Sequence, residues 1–282
     1  MSEPVADGEI WEQIRREVSE DAQREPTLAG YLHTSVLRHK CLECSLGGIL
    51  ASKLGSPDVT ALTLAGIVDE AFTDPLIGEA IRADLQAVVT RDPACRGYST
   101  PLLYFKGFHA IQAYRVAHHY WDLGREALAS YLQSRISEVF AVDIHPAARI
   151  GKGMMFDHAT SVVIGATAVI EDDFSMLHEV TLGGTGKQGG DRHPKIRRGV
   201  MIGAGAKVLG NIVVGEGAKI GAGSVVLEDV PAHCTVAGVP ARPVSFPAHS
   251  FPALEMDQSI EPTDLLDPFF RTLADVDWSE EG

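Results

Sequence analysis

The sequence is short of cysteine, long apolar runs and positive charge, and each shortage removes a class of protein. Four cysteines, at positions 41, 44, 95 and 234, are too few and too irregular for a disulfide framework. A reducing cytoplasm is therefore the simplest compartment. No apolar stretch approaches the roughly 20 residues that cross a bilayer. Residues 1–20 are acidic and amphipathic, without the basic start and apolar centre of a signal peptide. The formal charge of −14 argues against general nucleic-acid binding, which needs a basic face. Residues 244–282 hold nine acids against one base, Arg271. The body is thus only mildly acidic and leaves room for a local basic strip facing an anionic cofactor.

What remains is a 282-residue chain, 45% hydrophobic, long enough for one large domain or two ordinary ones. Its first 140 residues read as helical. Ile10, Ile14 and Val18 recur every four positions, as do Leu128, Leu132, Ile136 and Phe140, and Phe105, Phe108, Ile111 and Tyr114 recur every three. Such stripes are helix-packing surfaces. Thr100-Pro101 predicts an N-cap followed by Pro at the first helical position, and Ser56-Pro57 an earlier break.

Near Asp143 the period becomes six. Aliphatic anchors fall at Ile144, Ile150 and Phe156, then after a two-residue offset at Ile164, Ile170, Met176 and Leu182. After a longer interruption they return at Ile196, Ile202, Val208, Val214, Ile220 and Val226. Glycine often follows an anchor, as at Gly151, Gly165, Gly203 and Gly221, and small residues such as Ala148, Ala168, Ala206 and Ser224 fill the fifth position. Six residues suit one short strand and a turn, so three units make one triangular coil of about 18 residues whose anchors stack inward. The expected fold class is α+β: an α-helical domain over 1–140, a parallel β-helix of hexapeptide repeats over 141–243, and an acidic, mobile tail over 244–282.

A solenoid can eject loops between coils, and such loops commonly carry function. Both breaks in the repeat hold chemistry: Phe156-Asp157-His158 at the first, and Gly183-Gly184-Thr185 through Asp191-Arg192-His193 at the second. A hydroxyl is a poor nucleophile at neutral pH, and histidine, with a pKa of about 6.5, is a suitable base for it. Asp143 precedes His158 by somewhat less than one coil, so the two side chains can meet across coils as a dyad. Otherwise Asp143 caps a turn and His158 is a surface histidine.

The stretches Asp143-Ile-His-Pro-Ala-Ala, Met155-Phe-Asp-His-Ala-Thr, Val180-Thr-Leu-Gly-Gly-Thr-Gly-Lys and Gly190-Asp-Arg-His-Pro-Lys-Ile resemble the serine O-acetyltransferases. So do Arg91-Asp92-Pro93-Ala94 and Tyr98-Ser-Thr-Pro-Leu-Leu-Tyr-Phe-Lys-Gly-Phe-His-Ala in the helical half. The resemblance covers roughly residues 10 to 245 and implies a left-handed coil. It also implies transfer of acetyl from acetyl-CoA to the hydroxyl of L-serine, for cysteine synthesis, with no metal. His158 would then be the base and Asp143 its orienting partner. Arg192 and His193 would hold the serine carboxylate, and Asp92 and Asp157 the ammonium. Gly184, Thr185, Ala204 and Lys219 would line the CoA chain. L-Cysteine would bind the serine site as an inhibitor, and copies would assemble as a hexamer, a dimer of trimers, with sites between subunits. Family members often end in an Ile that enters O-acetylserine sulfhydrylase. This sequence ends Asp277-Trp278-Ser279-Glu280-Glu281-Gly282, which puts that complex in doubt.

Two other enzymes fit the coil. A γ-type carbonic anhydrase uses three histidines around zinc, which His158, His178 and His193 imitate. Arg192 beside His193 and Asp157 beside His158 suit a zwitterion better. Acetyltransfer to a sugar, homoserine or an antibiotic would not need the Arg91-Asp92-Pro93 motif. Cys41-x-x-Cys44 is expected to pack among helical residues, and the sequence assigns no role to His178 or Glu179.

Overall fold

The structure is a computed structural model that describes residues 7–186, 189–246 and 249–260. Eight helices precede the first strand: α1 (Asp7–Arg24), α2 (Ala29–Leu32), α3 (Leu42–Leu54), α4 (Ala61–Ala71), α5 (Pro75–Arg91), α6 (Ser99–Tyr104), α7 (Lys106–Asp122) and α8 (Glu126–Phe140). Their apolar stripes are the helical core. Ile10, Ile14 and Val18 bury against it from α1, and Leu132, Ile136 and Phe140 from α8. Each such side chain stabilises the fold by about 1.5–3 kcal/mol relative to exposure. Among the described residues, no helix is long and apolar enough to cross a membrane.

Three local expectations shift. α6 begins at Ser99, one residue before the expected Thr100 cap, because Glu17 accepts from the Ser99 N–H at 2.8 Å and caps the helix from across the core. Phe105 leaves its stripe and stands extended as the N-cap of α7. Cys41 and Cys44 do not simply pack. Cys41 is the N-cap of α3, and the i,i+3 spacing of the first turn brings Cys44 to it as a disulfide.

The β-helix rises in coils of three strands. The first coil is β1 (Val142–Ile144), β2 (Arg149–Ile150) and β3 (Met155–Phe156). The second is β4 (Val162–Ile164), β5 (Val169–Ile170) and β6 (Ser175–Met176), and the third β7 (Thr181–Gly183), β8 (Lys195–Ile196) and β9 (Met201–Ile202). β10 (Lys207–Leu209), β11 (Val213–Val214) and β12 (Lys219–Ile220) follow, then β13 (Val225–Val226), β14 (Thr235–Gly238) and β15 (Ala241–Ser245). The first face is β1-β4-β7-β10-β13, the second β2-β5-β8-β11, and the third β3-β6-β9-β12-β14-β15. All neighbours are parallel except β14 and β15.

Register turns the two sequence breaks into geometry. A regular coil advances 18 positions, as from Lys207 to Val225. Val142 pairs with Val162, two further, and Ser175 with Met201, eight further. The two extra residues of the first coil are absorbed after β3. There His158, Ala159 and Ser161 take left-handed backbone, with φ of 55°, 56° and 61°. For residues with a Cβ this costs on the order of 1–2 kcal/mol each. The eight extra residues of the third coil leave after β7 and return at β8.

Helices and coil are joined by buried polar groups. Asp84, fully buried, accepts from Gln112, from Arg115 and from the Met154 N–H of the coil at 2.8 Å. Arg91, also buried, donates to the carbonyls of Gly153 and Phe174 and to Ser175 Oγ. At the start of α7, a Cβ on Gly107 would stand 2.0 Å from the Phe156 carbonyl, so only glycine permits that approach.

Of the expected tail, residues 261–282 lie outside the described residues. Before them, α9 (Pro252–Glu255) returns to the third face. Ala253 is fully buried there, and its carbonyl accepts from Ser175 Oγ at 2.8 Å.

Candidate active site

Two of the expected residues, His158 and Ala204, belong to one column on the third face. Phe156, Met176, Ile202 and Ile220 are register partners. The residues two beyond them, His158, His178, Ala204 and Ala222, therefore stack at the corner where the third face turns into the first. Backbone bonds from Gly205 N to the His178 carbonyl and from Gly223 N to the Ala204 carbonyl hold the column together. The His158 and His178 rings meet edge to face, centroids 6.0 Å apart. Asp157 approaches His158 Nε2 at 3.9 Å, and the His158 side chain is 74% exposed, open to a substrate. His178 Nδ1 is buried and has no hydrogen-bond partner.

Asp92 follows the buried Arg91. It ends α5 in an extended conformation and accepts from Ala94 N at 2.8 Å, while Arg91 is clamped to the Gly153 carbonyl and to Ser175 of β6. Burial lowers the pKa of Arg91 to about 10, with Asp173 and Asp84 opposing, so the guanidinium stays charged.

A second group occupies the next corner, where the first face turns into the second. Gly184 and Thr185 follow β7, with the Arg192 side chain lying over Gly184 and Thr185 beside Gly210. His193 lies there with its ring over Gly165 and its Nδ1 on Thr167. Burial lowers the His193 pKa, and the Arg192 and Lys195 cations lower it further. Among the described residues, no hydrogen bond or ion pair joins Gly184, Thr185 or His193 to His158. The three residues of the first face separate them, about 10 Å of strand.

Asp143 sits between the corners, at the middle of β1, with its neighbours Val142 and Ile144 buried. Its Oδ1 accepts from Gln133 Nε2 at 2.7 Å, and no hydrogen bond joins it to His158. Lys219, on β12, is 5% exposed. Its ammonium donates to the Ser259 carbonyl at 2.6 Å, and burial lowers its pKa, with Asp257 opposing. Ala204 packs against the small cluster of Leu177, Met201 and Ala253, as Met256 does. Of the two expected CoA contacts on the third face, Lys219 is thus covered by the segment that carries Ser259.

Two features of the site go beyond the sequence motifs. His178 has no role in them, although it sits two residues beyond its anchor, as His158 does. Thr167 carries no sequence signal, because a lone threonine at a coil corner forms no motif. Among the described residues, no group of three or more His, Cys, Asp or Glu side chains gathers to hold a metal.

Comparison with known proteins bears on the fold and the family. Residues 10–113 match the family described as serine acetyltransferase, N-terminal, and residues 193–228 the bacterial transferase hexapeptide family. The chain is 58% identical over 250 residues to a serine acetyltransferase of Escherichia coli K12, covering 88% of this chain and 92% of that one. It is similar to a solved serine acetyltransferase in complex with cysteine (TM-score 0.88, 54% identity, 91% of this chain and 100% of that one). It is also similar to the Brucella abortus enzyme in complex with coenzyme A (TM-score 0.83, 52% identity, 84% and 95%).

Proposed function

The chain belongs to the serine acetyltransferase family, and from that premise we propose that its chemistry is centred on His158. It is an acetyl-CoA-dependent acyltransferase that acetylates the hydroxyl of L-serine, giving O-acetyl-L-serine and CoA. The observation that carries the assignment is the exposed His158 at the head of the column that continues through His178 and Ala204.

His158 takes the proton of the serine hydroxyl as its oxygen attacks the thioester carbonyl. The C–S bond then breaks, and the imidazolium returns the proton to the CoA thiolate. A well-placed base contributes about 10²–10⁴-fold. Asp143 orients the imidazole through Oδ2, which Gln133 leaves free. Asp92 and Asp157 receive the serine ammonium, and Arg192 and His193 the carboxylate, since a zwitterion needs opposite charges on opposite sides. Gly184 and Thr185 offer backbone N–H groups and space to the pantetheine arm. Ala204 lines it, and Lys219 meets a phosphate as a point charge.

L-Cysteine is the same zwitterion with a thiol for the hydroxyl, so it competes at these residues and inhibits. The complex of a similar enzyme with cysteine supports this. The distance between the two corners favours a site shared between copies, with the His158 corner of one subunit facing the Arg192–His193 corner of its neighbour in a trimer. Trimers pair through the helical half into a hexamer. The division at Phe140 into helical and coiled domains belongs to the same reading, as does a cytoplasmic location, which the free thiols of Cys95 and Cys234 fit and the Cys41–Cys44 disulfide does not.

The test is serine-dependent CoA release by wild type, His158→Ala, Arg192→Ala and a mixture of the two variants. Each variant alone should be nearly inactive, and subunit exchange in the mixture should restore part of the rate. Full activity in His158→Ala would overturn the base, and no recovery on mixing would overturn the shared site.

A further inference from the structure

The corner after β4 holds a hydrogen-bond centre beneath Arg192 and His193. Thr167 Oγ1 accepts from the backbone N–H of Arg192 at 3.0 Å and of His193 at 3.2 Å, and it lies 2.8 Å from His193 Nδ1. A hydroxyl has two acceptor sites and one donor, so with both N–H groups accepted its one proton goes to Nδ1 or to the neighbouring Asp191 carboxylate. The Thr167 N–H also points at Nδ1, at 3.2 Å. Because a backbone N–H can only donate, Nδ1 is the bare nitrogen and the ring proton sits on Nε2.

Two further contacts keep the ring in place. A Cβ on Gly165 would stand 2.0 Å from His193 Nε2, so the imidazole lies against the glycine backbone. Asp191, whose carboxylate is near the same hydroxyl, is held by Lys195 Nζ at 2.5 Å, and that ammonium also donates to the Thr167 carbonyl at 2.8 Å. Among the described residues Nε2 has no hydrogen-bond partner, so its proton is available to a ligand.

We propose that Thr167 is a positioning residue for L-serine, fixing His193 as a neutral Nε2–H donor and holding the Arg192–His193 backbone so that both side chains address one carboxylate. The inference rests on the reading that His193 meets that carboxylate. A cationic His193 would need a proton on Nδ1, where it would face the Thr167 N–H, so the corner selects the neutral ring.

The test compares Thr167→Val, Thr167→Ser and His193→Ala in the full-length enzyme, measuring kcat and both KM values. Thr167→Val keeps the shape and loses the hydroxyl. It should raise the serine KM about tenfold, the scale of one lost hydrogen bond, while kcat and the acetyl-CoA KM change less than about twofold. Thr167→Ser should restore the serine KM. In the His193→Ala background, most of the effect of Thr167→Val should vanish, because the two residues act as a unit. If His193→Ala raises the serine KM but Thr167→Val does not, the positioning role is wrong. It is equally wrong if Thr167→Ser is as impaired as Thr167→Val, or if both KM values rise together. If His193→Ala leaves the serine KM unchanged, the carboxylate assignment itself fails, and this inference with it.

Discussion

His158 and His178 meet edge to face, their ring centroids 6.0 Å apart, at equivalent positions of successive coils. His178 is fixed by the coil, with its carbonyl bonded to Gly205 N, whereas His158 sits on a left-handed turn with little side-chain cover. The His178 ring therefore limits the orientations open to the exposed His158 ring. His178→Ala should lower kcat about tenfold with little change in either KM, and His158→Ala should lower it about 10²–10⁴-fold. Steady-state kinetics read the difference, and a His178→Ala enzyme with unchanged kcat would remove the positioning argument.

Arg91 ties the end of α5 to the coil. Its guanidinium serves two buried carbonyls and Ser175 Oγ, and Ser175 in turn donates to Ala253. Arg91→Met leaves the buried Gly153 carbonyl without this donor and frees Asp92, while the Phe174 carbonyl keeps the Met155 N–H. Asp173 keeps a partner in Arg198, so the expected loss is about 3 kcal/mol, together with a higher serine KM. Thermal melting and kinetics check the two halves. An unaltered serine KM in a destabilised variant would confine Arg91 to a structural role.

The coil was legible because it is periodic. Ile144 through Val226 mark nearly every inward position, and the two offsets in that series are the register shifts at His158 and after Gly183. The same period carries the signal for the histidine column, since His158 and His178 each stand two residues beyond an anchor, but the sequence assigns His178 no role. What escaped was contact at long range with no period. Glu17 caps α6 from 82 positions away, Asp84 collects donors from α7 and the coil, and Ser175 receives Ala253 from 78 positions on. Asp143 shows the same limit: its spacing suggested His158 for its carboxylate but said nothing of Gln133 on α8, which holds one of the two oxygens at 2.7 Å. A single polar residue gains its role from what the fold sets against it, and spacing in sequence does not encode that.

Lys219 is engaged by the chain's own C-terminal segment. Asp257 accepts from the N–H and hydroxyl of Ser259, forming the turn that sets the Ser259 carbonyl on the Lys219 ammonium. A CoA phosphate must displace that carbonyl and approach the Asp257 carboxylate. Asp257→Ala loosens the turn and removes the like charge, so CoA should bind about two- to fivefold more tightly. Lys219→Met should weaken binding about tenfold. Calorimetric titration with CoA measures both, and a weaker affinity in Asp257→Ala would show that the segment supports the cofactor instead of competing with it.

His109 makes the fold sensitive to acid. It is fully buried on α7, with Nε2 donating to the Leu102 carbonyl at 2.7 Å and Nδ1 without a partner. Burial lowers its pKa to about 4. The unfolded chain takes up a proton near the ordinary pKa of about 6.5, which the folded chain refuses until about 4. Below about 6.5 the unfolded state therefore binds more protons, and stability falls as pH falls through that window. Above it, this group adds no pH dependence. The full difference is about 3 kcal/mol by pH 4. His109→Phe loses the bond to Leu102 at every pH, so it should be less stable at pH 7.5, yet its stability should fall less steeply between pH 6.5 and 4. Denaturant titrations across that range decide the point, and an unchanged slope would mean that other groups govern acid unfolding.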